Sequence, residues 1–161
     1  MKRSLFIAFL IIFNIVIDQV SKFWTRASVV KGSKSEIIGD YFTLHNVENS
    51  GAFLGMGSDL SPTMRAIFLL IIPVAVMAYV LFLIFKNKNL DTFSLLGFCC
   101  ILGGGMANIY DRFLYGSVTD MFHIDLGGVF RTGIFNVADM SVMLGLGLLI
   151  LGNFKKKETV A

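Results

Sequence analysis

Long apolar runs separated by short polar segments dominate the chain. Ser4 to Trp24, Met64 to Phe85, Thr92 to Arg112 and Thr132 to Asn153 are nearly free of charge in their interiors. Each covers about 20 residues, enough at a rise of about 1.5 Å per residue to cross a hydrocarbon layer of roughly 30 Å. The pattern predicts four transmembrane helices. Two polar segments, 25–63 and 113–131, then fall on one side. Within the first, "SEIIGDYFTLHNVENSGAFLGM" mixes β-branched and aromatic residues with Gly and Asn punctuation, which predicts two or three short strands joined by turns. Phe42, Leu44, Phe53, Leu54 and Met56 supply apolar side chains there for lipid or core. The predicted class is a mainly α integral membrane protein: four helices with a small extracytoplasmic β-sheet, as a single membrane domain over 1–161.

Composition agrees with this. Of 161 residues, 55% are hydrophobic and 16% charged, with a mean hydropathy of +0.75, beyond the apolar share of an ordinary soluble domain. The first run opens with Lys2-Arg3 as a leader would, but it continues into Asp18-Gln19-Val20-Ser21-Lys22 with no small-x-small cleavage site, so it is expected to be retained. The net charge of +3 sits in short basic clusters beside apolar runs, which reads as topology and not as nucleic-acid binding. Lys2 and Arg3, Lys86 and Lys88, and Lys155 to Lys157 share one side, assigned to the cytoplasm together with both termini. The two Cys are adjacent, Cys99 and Cys100, and read as small apolar helix residues; His45 and His123 have no Cys or Glu at ligand spacing, so no metal and no cofactor are expected.

The polar residues inside the apolar runs change the picture. An ionised carboxylate in hydrocarbon costs roughly 2.5–3.5 kcal/mol on insertion scales, so it needs a partner or a task. On the predicted topology Asn14, Asp18 and Lys22 in the first span, Asn108, Asp111 and Arg112 in the third, and Asn136 and Asp139 in the fourth all fall toward the outer face. The connecting segment with Asp120 lies there too. Asp18 has Lys22 at i+4 and Asp111 has Arg112 beside it, so both read first as structural ion pairs. Gly103-Gly104-Gly105 and Ala107 read as a helix-packing surface. Asp120 and Asp139 have no basic residue within five positions. Two carboxylates brought together in a poorly solvated place share a proton, the state that aspartic peptide hydrolysis requires. A proton- or ion-coupled transporter or channel component is the alternative, but it calls for polar groups through the full depth of the membrane.

Five motifs carry a resemblance: "DQVSK" at 18–22, "NSGAF" at 49–53, "GGGMANIYDR" at 103–112, "VTD" at 118–120 and "FNVAD" at 135–139. In order and spacing the chain resembles the bacterial lipoprotein signal peptidases, or signal peptidase II. The resemblance implies a four-helix, multi-pass aspartic endopeptidase of the bacterial inner membrane, with its site near the outer face. Such an enzyme cuts prolipoproteins before the diacylglyceryl-modified cysteine. Asp120 and Asp139 match the catalytic pair; Asp18, Lys22, Asn49, Gly51, Asn108, Asp111, Arg112 and Asn136 match positions that shape the site or meet substrate. The implied partners are diacylglyceryl-modified prolipoprotein, membrane lipid and globomycin-like inhibitors. A flexible amphipathic helix is implied within 26–62. Ala107, where the family usually has Gly, and Phe53, where it has Ala, depart from the pattern beside the site.

Overall fold

The computed structural model describes residues 2–52 and 55–160, with side chains to Phe154. Phe53 and Leu54, and the side chains of Lys155 to Lys157, lie outside the described residues. Among the described residues, four helices are long and apolar enough to cross a membrane: α1 (Arg3–Ser28), α2 (Pro62–Lys86), α3 (Thr92–Tyr115) and α4 (Val137–Val160). Between them lie β1 (Lys34–Ile38), β2 (Phe42–Asn49) and β3 (Val118–Ile124).

Local chemistry sets the helix ends. Ser61 caps α2 with Pro62 at the first helical position, where a missing N–H costs nothing. Asp91 caps α3 by accepting from Ser94 N–H at 3.0 Å. Gly116, at φ 73°, ends α3 in the left-handed conformation that favours glycine. Pro73 stands two residues past a π-helical stretch within α2, Ile67–Ile71. A proline there cannot bond back to the carbonyl of Leu69, and the widened turn accommodates the gap.

α3 lies against α1 on one side and α4 on the other. A Cβ on Gly104 would stand 2.4 Å from the Ala138 carbonyl oxygen, and one on Gly97 would stand 2.8 Å from that of Gly145. Only glycine permits this approach; of the expected packing surface, Gly104 brings the α3 and α4 backbones into near contact, while Gly103 meets Asn14 of α1 and Gly105 meets Met77 of α2. Ile7 and Ile11 of α1, Ile84 of α2, and Cys99 and Leu102 of α3 form the buried apolar cluster. α2 contributes only Ile84 to the buried set. Its far end is stitched to α1 by Arg3, which donates to the carbonyls of Ile84 (3.0 Å) and Asn87 (2.9 Å).

Two expectations are corrected. The sheet is three-stranded and antiparallel in the order β1-β2-β3, and its third strand comes from the second polar segment, so Asp120 stands on a strand opposite Val47 and not in a loop. The fourth helix begins at Val137 and not at Thr132. Phe135 instead exchanges backbone bonds of 2.8 Å with Phe122 and accepts a third from Met121 at 3.0 Å, so the apolar run starts as a strand-like edge. Asp139 therefore sits in the first turn of its helix. Finally, of the implied amphipathic helix, residues 53 and 54 lie outside the described residues, and the chain from Gly55 to Leu60 runs through successive i→i+3 turns.

Candidate active site

The start of α4 is a reciprocal cap. Asn136 Oδ1 accepts from Asp139 N–H at 2.9 Å, and Asp139 Oδ2 accepts from Asn136 N–H at 3.1 Å. This is the capping-box geometry with Asn and Asp in the two roles. A third free N–H of the first turn, that of Ala138, donates to Asp18 Oδ1 of α1 at 2.8 Å. The helix start is thereby fixed in position and rotation, and the Asp139 carboxylate with it.

A buried ionic cluster supports this corner. Lys22 and the carboxylates of Asp18 and Asp111 are fully shielded from solvent; Lys22 Nζ lies 2.7 Å from Asp18 Oδ2 and 2.9 Å from Asp111 Oδ2. It spends its remaining proton on Asn108 Oδ1 at 2.8 Å. A lysine ammonium has three donors, and here each faces an acceptor. Arg26 stands 3.3 Å from Asp111 as a second cation, and Gln19 bridges to Asp111 Oδ1 (3.0 Å) and the Ala107 carbonyl (3.3 Å). The expected pairing of Asp111 with Arg112 does not form: neighbours on a helix point about 100° apart. Arg112 donates instead to the carbonyls of Gly51 (2.8 Å) and Asn108 (3.4 Å).

Asp120 and Asp139 line one small cavity of about 10 Å³ together with Asn49, Asn108, Arg112 and Asn136, on the order of the room one water needs. Asp120 Oδ1 accepts from Asn136 Nδ2 at 2.6 Å and Oδ2 from Asn49 Nδ2 at 2.9 Å. Asp139 Oδ1 accepts from Asn108 Nδ2 at 3.0 Å. Asn136 thus bonds both carboxylates, one through its side chain and one through its backbone. Burial pushes the Asp120 carboxyl up to about 6; the Asn49 hydrogen bond opposes the rise and the Asp139 charge adds to it. Gly51 enters by its backbone, with its N–H on Asn49 Oδ1 at 2.9 Å and its carbonyl on Arg112.

Of the ten residues expected here, Asp120, Asp139, Asn49, Asn108, Arg112 and Asn136 line the cavity. Gly51 holds its rim. Asp18, Lys22 and Asp111 stand behind it as the ionic support. Gln19 and Thr119 lie within two of the five motifs but carry no expected role, and Arg26 and Glu48 lie outside them. Arg26 Nε donates to Thr119 Oγ1 (2.7 Å), whose hydroxyl donates to Glu48 Oε1 (2.8 Å), bracing β3 against α1 and β2. In sequence these are ordinary exposed-looking residues, and only the pairing of β2 with β3 gives them meaning.

Comparison with known proteins gives a consistent answer. Residues 10–155 match the family model described as "Signal peptidase (SPase) II". A lipoprotein signal peptidase of Maridesulfovibrio salexigens is 31% identical over 144 residues, covering 89% of this chain and 92% of that protein. One from Streptococcus pyogenes is 30% identical over 158 residues and covers 98% of each chain. A bacterial membrane enzyme solved by the in meso method at 2.3 Å resolution superimposes with a TM-score of 0.80 at 26% identity, over 95% of this chain and 90% of that one.

Proposed function

Because the chain belongs to the signal peptidase II family, multi-pass membrane peptidases that remove signal peptides from prolipoproteins, we propose that Asp120 and Asp139 are its catalytic pair and that the peptidase is of the aspartic type. The observation that carries this is the shared cavity: two carboxylates from separate elements, both bonded to Asn136, around space for about one water.

The chemistry follows from one proton shared between the two. The ionised carboxylate takes a proton from water as its oxygen attacks the scissile carbonyl carbon, while the protonated one donates a hydrogen bond to the carbonyl oxygen. Burial raises the Asp120 carboxyl to about 6, which favours its protonated form. The captured proton then passes to the leaving amine as the C–N bond breaks, and the pair is again singly protonated. Asn49, Asn108 and Asn136 orient the carboxylates. Arg112 supplies a positive charge at the rim and holds the Gly51 carbonyl, and Asp18, Lys22 and Asp111 fix the framework.

The bond cut is the one before the diacylglyceryl-modified cysteine. A lipid anchor delivers it to the membrane surface, and enzyme and substrate confined to one leaflet meet at raised effective concentration without added contacts. The whole chain acts as a single membrane domain in the bacterial inner membrane, with both termini cytoplasmic, the site near the outer face, and globomycin-like peptides as competitors for the cavity. The basic residues Lys2, Arg3, Lys86 and Lys88, at the end away from the carboxylates, support that orientation.

Cleavage of a diacylglyceryl-modified prolipoprotein by the purified chain tests the pair. Asp120→Asn and Asp139→Asn should each lower turnover by about 10²–10⁴-fold; normal turnover by either folded variant would refute it. A reporter fused after Lys88 should remain on the cytoplasmic side, and its appearance outside would overturn the orientation.

A further inference from the structure

The seam between α2 and α3 has two compartments that share only Arg112 with the proposed peptidase chemistry. At the end near the carboxylates is a pocket of about 240 Å³ lined by Ser50, Pro62, Arg65, Leu70 and Arg112 among others. Further along the same two helices lies an open groove of about 420 Å³, walled by apolar side chains such as Met77, Ala78, Ile109 and Phe113. Val74, where the groove begins, is nine residues past Arg65, about 14 Å along the helix axis.

The guanidiniums of the first compartment are incompletely satisfied. The Nε groups of Arg65 and Arg112 are both buried with no hydrogen-bond partner. Neither arginine pairs with a carboxylate among the described residues, where the ion pairs belong to Lys22, Arg26 and Lys34. A buried donor on a charged group that is left unmade is costly, and the planar fork of arginine fits the oxygens of a phosphate. Farther along the same two helices, the groove offers walls suited to hydrocarbon.

We propose that this seam binds a membrane phospholipid, with its phosphate between Arg65 and Arg112 and an acyl chain along the groove walled by Met77, Ala78, Ile109 and Phe113. Charge complementarity selects the occupant: a neutral diacylglyceride fills the groove but leaves both guanidiniums without an anion. The bound lipid would sit beside the catalytic cavity, because Arg112 lines both sites.

Native mass spectrometry of the full chain in detergent tests this with phosphatidylglycerol as the probe and a diacylglycerol of the same chains as comparator. Wild type should retain the phospholipid at least about tenfold better than the diacylglycerol. Arg65→Gln should weaken retention by about tenfold, the loss of one charge-assisted hydrogen bond, and Ala78→Trp should weaken it by filling the groove. If Arg65→Gln fails to fold, Arg65→Lys keeps the charge but not the fork and should show a smaller loss in the same direction. Equal retention of diacylglycerol would overturn the proposal, as would unchanged binding in the folded arginine variant or in Ala78→Trp. Displacement of the lipid by millimolar inorganic phosphate would instead make this a site for free anions and equally overturn it.

Discussion

Replacing Asp120 by Asn should inactivate the protein and yet stabilise it increasingly as the pH rises. Burial raises the folded carboxyl from the ordinary 3.8 to about 6, so the folded chain holds this proton more tightly than the unfolded chain does. The stability associated with that proton is fully present below pH 3.8 and is lost as the pH climbs through about 6. The gap of about 2 pKa units, at about 1.36 kcal/mol each, amounts to about 3 kcal/mol. Asn carries no such charge. Turning an acceptor toward the Nδ2 donors of Asn49 or Asn136 into an amide adds a penalty, but that penalty does not vary with pH. Thermal unfolding of wild type and Asp120→Asn in the same detergent, from pH 4 to pH 7.5, isolates the ionisation. The melting temperature of the variant minus that of wild type should rise by roughly 6–12 °C across this range for a chain of this size. A difference that stays flat with pH would show that Asp120 ionises freely, and the shared-proton mechanism would lose its basis.

Two further outcomes follow from the framework. Lys22→Met should cost about 3–5 kcal/mol by leaving Asp18 and Asp111 as buried charges, and adding Asp18→Asn with Asp111→Asn should restore most of it; a single mutant melting like wild type would contradict the ionic cluster. Gly104→Val should cost about 1–3 kcal/mol by overpacking and should lower cleavage as well, because the intruding methyl groups press on Ala138, one residue from Asp139; loss of stability with full turnover would separate the α3–α4 contact from the site.

The sequence made the spans and the polar end of the bundle legible because both follow from periodicity and cost: apolar runs of fixed length, and charges too expensive to be idle. Asp18 with Lys22 at i+4 could be read directly, and the pair stands at 2.7 Å. The partners of Asp111 could not, because Lys22 and Arg26 reach it from another helix and the adjacent Arg112 points elsewhere. The start of α4 was misplaced because Gly133, Ile134 and Phe135 continue the apolar run, and hydropathy does not distinguish a strand-like edge from a helix. "FNVAD" held the missing signal, an Asn with an Asp three residues later, which is a capping pattern. β3 escaped because its partner strand lies far earlier in the chain; Asn49 and Asp120 are 71 residues apart.

α2 is fastened at the end where Arg3 reaches Ile84 and Asn87, and two pockets lie between it and α3 toward the end that carries the carboxylates. On the proposed orientation these pockets face the outer leaflet, so a molecule anchored there would reach the seam before any of its residues are read. A peptide tethered in the other leaflet would meet the end that Arg3 closes, however well its residues match. The membrane would thus do part of the discriminating, and the cavity around Asn136 could stay small and undemanding about the rest of the chain it is offered.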